Sequence, residues 1–253
     1  MFDQREYLYT HGCLVSRMAA GAIESQLAVT FYKPTDYFDG LFNRFVSWMT
    51  SGQFCHCELV VKATPKQILE CVKHIYNDAN PVQEQADVNS AQSEKYHPED
   101  CTRIVSQIET HFFNNQTFRT AIQTSEYIHL SFSLLWGNPM TVRILNETSH
   151  DSWFRVPCDD TPNVVMKKLD YDDEAVQKTL RFALEELGKN YDTTSAILSV
   201  IPWHSSQHPA RCDSYFCSEF VVMALQRLGG LAGVDAKHTT PNALFQKLAT
   251  ERI

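Results

Sequence analysis

Apolar positions along the chain change period several times, and each change marks an element. Leu27-Ala28-Val29-Thr30-Phe31-Tyr32 is a continuous β-prone run closed by Lys33-Pro34, so a strand is expected there. Tyr37, Phe38, Leu41, Phe42, Phe45, Val46 and Met49 follow at steps of three and four, the spacing of an amphipathic helix that Ser51-Gly52 ends. Such an aromatic stripe serves core packing more often than it lines a substrate groove. Phe54-Cys55-His56-Cys57-Glu58-Leu59-Val60-Val61 is again short and β-prone, a second strand. Upstream of both, Met18 to Ile23 has the makings of a short helix.

Thr64-Pro65-Lys66-Gln67 combines a Thr cap, Pro at the first helical position and Gln three residues after the cap. Ile68, Leu69, Val72, Ile75 and Tyr76 carry the stripe to about residue 77, and 78–98 is polar and loop-like. A further helix over about 99–113 holds Ile104, Val105, Ile108 and Phe112, so 64–125 reads as a helical insertion between strands. From Tyr127 to Leu134 apolar and polar residues alternate, the pattern of a half-buried strand, and Gly137-Asn138-Pro139 supplies a turn. Thr141–Leu145 and Ser152–Val156 are expected to complete an antiparallel meander. Asp172 or Asp173 then caps a helix with Val176, Leu180, Ala183, Leu184 and Leu187 inward, stopped by Gly188. Phe216, Phe220, Met223 or Ala224, and Leu228 define a further helix, ended by Gly229-Gly230. Neither internal repeats nor low-complexity segments interrupt this order.

Two of these elements carry candidate chemistry. Cys217 falls where a loop becomes a helix, next to unpaired backbone N–H groups and the positive end of the helix dipole, both of which favour thiolate. A small buried apolar residue is the bland alternative. On the second strand, His56 and Glu58 project from one face while Cys57 and Leu59 project from the other. A histidine near a thiol can take its proton, and a carboxylate can orient the imidazole; a strand whose polar face meets water is the alternative. Residues two apart on a strand reach each other at roughly 6–7 Å, so a Glu58–His56 contact is open but not forced. His129, on the polar face of the next strand, and Glu70 are the other candidates for the orienting position. Glu219, two residues past Cys217, should point away from it as a surface or packing residue. Asp192 should cap the segment that follows it.

The pair His56-Cys57-Glu58-Leu59-Val60 and Phe216-Cys217-Ser218-Glu219-Phe220-Val221 resembles the circularly permuted papain-like cysteine hydrolases, the NlpC-like superfamily that includes lecithin–retinol acyltransferase-like proteins and bacterial and viral hydrolases. In the permuted group histidine precedes cysteine, as here. Gly188-Lys189-Asn190-Tyr191-Asp192 is similar to the Gly-Lys-x-Tyr-Asp segment that often precedes the nucleophile helix. The similarity spans roughly 27–62 and 126–246. It implies an α+β fold in which an antiparallel sheet or partial barrel packs against the Cys217 helix, as one domain over 1–253 with the 64–125 insertion. It also implies Cys217 as nucleophile, His56 as base and Glu58 as third member of the site, acting on an amide or ester bond of a peptide or acyl-lipid substrate without a cofactor.

Composition narrows the classes. The chain has 253 residues, 43% hydrophobic and 21% charged, ordinary for a folded domain. A net charge of −8 argues against a general nucleic-acid binder, whose footprint would be basic. No apolar run reaches the roughly 18–20 residues of a bilayer span, and the first residues lack a signal-peptide layout, so no transmembrane anchor is expected. The eight cysteines (13, 55, 57, 71, 101, 158, 212 and 217) are scattered and lack zinc-site spacing, which favours reduced thiols in a cytoplasm-like compartment or a virion, and no metal. A function outside enzymology stays open: a structural, virion-associated or binding protein that keeps the hydrolase fold, with the insertion as partner surface or lid.

Overall fold

The computed structural model describes residues 27–34, 44, 47, 52–80, 96–149, 154–157, 161, 163–199 and 214–250. The expected helix at 18–23 lies outside them, as does the stripe from Tyr37 to Met49 apart from Arg44 and Ser47, both helical. The described chain is α+β. Strands β1 (Leu27–Tyr32), β2 (His56–Ala63), β3 (Ile128–Ser133), β4 (Thr141–Leu145) and β5 (Val164–Leu169) form an antiparallel sheet in the order β4-β3-β2-β1-β5. The helices are α1 (Pro65–Ala79), α2 (Pro98–Ile108), α3 (Gln116–Thr124), α4 (Asp173–Glu185), α5 (Thr193–Leu198), α6 (Cys217–Gln226) and α7 (Pro241–Thr250). A short parallel pair, β6 (Asn190–Tyr191) and β7 (Ser214–Tyr215), precedes α6.

Register assigns each side chain to a face. Leu27, Val29 and Phe31 of β1 lie beside Cys57, Leu59 and Val61 of β2, and Leu59 and Val61 lie beside Phe132 and Leu130 of β3. That face receives α4 and α6, with α1 and α2 packed against α4. The opposite face carries Thr30, Tyr32, His56, Glu58, Ser131 and Arg143 in neighbouring positions. It is polar but not wet: every residue of β2 is buried. Ala28, Val60 and Leu145, with Val156 and Met166, form a second small apolar cluster that covers it.

The 65–124 stretch joins two adjacent strands yet belongs to the main core. Ile68, Val72, Ile75, Ile104, Ile108, Phe112 and Phe118 share one cluster with the sheet and with α6. Thr64 and Gln67 form the reciprocal cap that starts α1. Arg103 of α2 donates to the carbonyls of Leu187 and Glu185, satisfying the last acceptors of α4. Gly188 (φ +79°) ends α4 in the left-handed region, and a Cβ there would sit 2.8 Å from Gln107 of α2.

Three expectations change. The helical region has three pieces, because α2 passes through a π turn (Glu109–Phe113) into a new helix capped by Asn115. Of the expected strand at 152–156, residues 152 and 153 lie outside the described residues, and the rest form none: Phe154 is in a turn and Arg155 makes an isolated parallel bridge to Asn146. The fifth strand is Val164–Leu169, beyond β1. It is an edge strand with half-exposed residues and two lysines, so it shows neither alternation nor an apolar run. Among the described residues no helix is long and apolar enough to cross a membrane.

One contact fixes how the chain enters β2. The Phe54 N–H donates to Asn242 Oδ1 at 2.9 Å, and Asn242 Nδ2 donates to the Phe54 carbonyl at 2.8 Å, so an amide from α7 acts as a one-residue strand partner. Asn242→Ala removes a donor and an acceptor from a buried backbone, and is expected to lower unfolding free energy by about 1–3 kcal/mol in urea titration.

Candidate functional site

His56 is the first residue of β2 and Cys217 the first of α6, so the two meet where that helix lands on the end of the strand. α6 begins there for local reasons. Phe216 is extended (φ −105°, ψ 168°), its N–H donates to Glu219 Oε2 at 3.3 Å, and Ser218 Oγ donates to the Thr239 carbonyl at 2.6 Å. Glu219 therefore does not sit on the surface; it is buried, and it caps its own helix. Burial pushes its carboxyl up to about 7, against the lowering effect of the Phe216 N–H and Lys237.

Behind His56 lies a carboxylate assembled from four strands. Glu58 is 0% exposed, and its Oε2 accepts from Tyr32 Oη (2.9 Å, β1), Ser131 Oγ (2.6 Å, β3) and the Arg143 guanidinium (β4). Its other oxygen, Oε1, faces His56 Nε2 at 3.2 Å. Burial alone would raise the Glu58 carboxyl; the Arg143 charge, then the His56 hydrogen bond and charge, then Ser131, hold it instead at about 2. Tyr32 is kept protonated by burial and by the Glu58 charge.

His56 and Cys217 are near enough for each to shift the ionisation of the other. Burial would lower the imidazole; the charge and hydrogen bond of Cys217, then those of Glu58, raise it to about 9. The Cys217 thiol is pushed well below its ordinary value by a hydrogen bond from the Cys57 thiol, by the His56 charge and hydrogen bond, and by the Cys57 backbone N–H, all against burial. The site thus favours a thiolate–imidazolium pair with an ionised carboxylate behind it.

Two more cysteines border the pair. Cys57 faces away from the imidazole and into the apolar face; burial, with Cys217 added, keeps the Cys57 thiol protonated. Strand alternation places Cys57 on the apolar face, and α6 is what lies there. Cys55 donates to the Tyr32 carbonyl at 3.5 Å, and burial followed by the Cys217 charge pushes it up to about 12. Tyr191 is a further member. β6 sets it beside Tyr215, and its phenol is raised first by burial and then by the charge of Cys217. The Gly-Lys-Asn-Tyr-Asp run was the only sign of it in the sequence. Asp192 caps α5 through Ser195 N–H at 2.8 Å.

The other candidates for the orienting position lie elsewhere. His129 pairs in register with Lys62, six residues along β2 from His56, or roughly 20 Å at strand rise. There it borders a surface groove of about 740 Å³ with Lys62, Thr120, Tyr127 and Asn146. Glu70 is on the exposed side of α1, 3.9 Å from Lys66. Among the described residues no group of three His, Cys, Asp or Glu side chains could hold a metal ion.

A carboxyl held at about 2 in the folded chain and near 4.5 when unfolded binds fewer protons folded. The stability it contributes is present above about pH 4.5 and is lost as pH falls towards about 2. Wild type is expected to lose stability across that window relative to Glu58→Gln, followed by circular dichroism in urea. A difference between the two proteins that stays constant with pH would count against the assignment.

Comparison with protein-family models, with curated proteins and with solved structures finds no match to this chain, so what the site does has to be read from its own geometry.

Proposed function

We propose that the chain is a thiol-dependent hydrolase or acyltransferase acting on an amide or ester bond, on a permuted papain-like version of the α+β fold. The observation that carries this reading is the Cys217–His56–Glu58 relay: a thiol at the start of α6, which packs on β2, and at the start of β2 an imidazole whose Nε2 is 3.2 Å from a fully buried carboxylate. A structural histidine needs neither a thiolate partner nor a carboxylate stripped of water.

The chemistry follows from the pairing. The Cys217 thiolate adds to the acyl carbon, forming the S–C bond and moving an electron pair onto the carbonyl oxygen. The first turn of α6 offers backbone N–H donors for that oxyanion. As the oxyanion collapses, the bond to the leaving nitrogen or oxygen breaks and the His56 imidazolium gives that atom its proton. His56, now neutral, takes a proton from water or from an acceptor hydroxyl or amine, whose attack on the thioester releases the acyl group and restores the thiolate. Since Nε2 faces Glu58, the nitrogen left for these transfers is Nδ1. The substrate class is a peptide or an acyl lipid.

A second reading, a non-enzymatic binding or structural protein on the same fold, has one observation in its favour: Cys217 is only 5% exposed. Labelling separates the two. Peptide, isopeptide and acyl-lipid electrophiles are expected to modify wild-type protein at Cys217 at neutral pH, and Cys217→Ala is expected to lose labelling and turnover while folding normally. His56→Ala should slow labelling by about 10²–10⁴. Undiminished labelling of Cys217→Ala would remove the nucleophile, and an unreactive Cys217 in folded wild type would leave the binding reading.

A further inference from the structure

The Glu58 carboxylate is the most crowded group of the polar sheet face. Tyr32 of β1, Ser131 of β3 and Arg143 of β4 converge on Oε2, leaving Oε1 for the imidazole. Two of those three donors are neutral hydroxyls, and Arg143 is the fixed cation among them. Its guanidinium is itself nearly buried, at 9% exposure, so the ion pair is shielded from salt and water. Arg143 is also placed by register. It pairs with Ser131 on the strand next to β2, so it shares the Glu58 face.

We propose that Arg143 is a positioning residue of the site: from the outer strand of the sheet it keeps Glu58 ionised and turned so that one carboxylate oxygen is reserved for His56. The inference rests on the relay read above and extends it by one residue and one strand. Without a cation, a fully buried carboxylate is driven towards its neutral form, since desolvation penalises charge. A protonated Glu58 no longer stabilises an imidazolium, and the thiolate opposite loses its counter-ion. Arg143 therefore acts two groups away from the sulfur, through Glu58 and then His56.

The other titratable groups facing this carboxylate do not substitute for it. Tyr32 donates as a neutral phenol, with burial opposing its ionisation. His56 is the group being held, and Cys57 and Cys217 lie beyond it. Lys62 shares the sheet face, but at a position paired with His129, two register steps past Val60 and Ser131. Nothing in the sequence marks Arg143, which sits in a strand of alternating Thr, Val, Arg, Ile and Leu and has the look of an outward-facing residue.

The test is the pH profile of Cys217 alkylation by iodoacetamide, a readout that a merely structural arginine would not move. In wild type, reactivity persists well below the ordinary thiol range. In Arg143→Met and Arg143→Gln the acid limb is expected to move up by about a pH unit or more, with Arg143→Lys restoring most of the shift and all three folded by circular dichroism. A neutral variant that folds and keeps the wild-type acid limb overturns the proposal. Wild type gives a reading that needs no variant: the Glu58 carboxyl, followed by its ¹³C shift, should still be ionised at about pH 4, and titration in the ordinary carboxylate range also overturns the proposal. Failure of the underlying reading looks different, because wild-type Cys217 would then alkylate only as an ordinary thiol, above about pH 8, whatever Arg143 does.

Discussion

A carboxylate with no exposed surface is an expensive object to bury, and the polar half of this sheet is arranged around one. Glu58 survives as an anion because β1, β3 and β4 each bring it a donor and because its own strand brings it an imidazole. Removing a single partner would leave the others facing an uncompensated group in a dry environment, where such a deficit costs several kilocalories per mole. The sheet order is therefore tied to the electrostatics. Only with β2 at the centre of the sheet and β3 and β4 in succession on one side of it do Ser131 and Arg143 fall in line with Glu58.

The same strand serves two different environments at once. On one face Cys57, Leu59 and Val61 pack into the main core under α6; on the other, His56 and Glu58 enter the polar network. At the first residue of β2 the two faces come within reach of each other around the strand end, and there His56 and Cys57 both lower the pKa of the Cys217 thiol. α7 holds this junction from outside through Asn242, whose amide substitutes for a missing strand beside Phe54. The helices of 65–124 complete the far side of the core. They contribute their whole apolar stripe to it, which accounts for their strong periodicity.

Much of the fold was legible because its signals are local. β1 and β4 have the bounds their sequence suggests, α1 announces itself through a Thr-Pro cap, and α4 is bracketed by Asp172 and Gly188. Elements whose identity depends on a neighbour were not legible. β5 is a strand only because β1 offers it an edge, and its lysines conceal it. Ser152–Val156 looks like a strand, but at Arg155 only an isolated bridge to Asn146 forms. For Glu219, helix geometry relative to Cys217 leaves a surface and a packing position both open. Its actual position is set by the Phe216 N–H, which a spacing argument does not contain.

For the site the division is sharper. Composition and spacing alone set a thiol at a helix start, a histidine and a glutamate on one face of a strand, and a second thiol on the other face. These follow from backbone periods of 3.6 and 2, which every sequence carries within itself. The resemblance already pointed to Cys217, His56 and Glu58, with His129 and Glu70 behind; the Glu58–His56 contact itself and the surrounding Tyr32, Ser131, Arg143, Cys57 and Tyr191 came only with the tertiary structure. The reason is physical. Ionisation of a buried group depends on charges and donors within a few ångströms, and those arrive from strands and helices up to about 160 positions away in the chain.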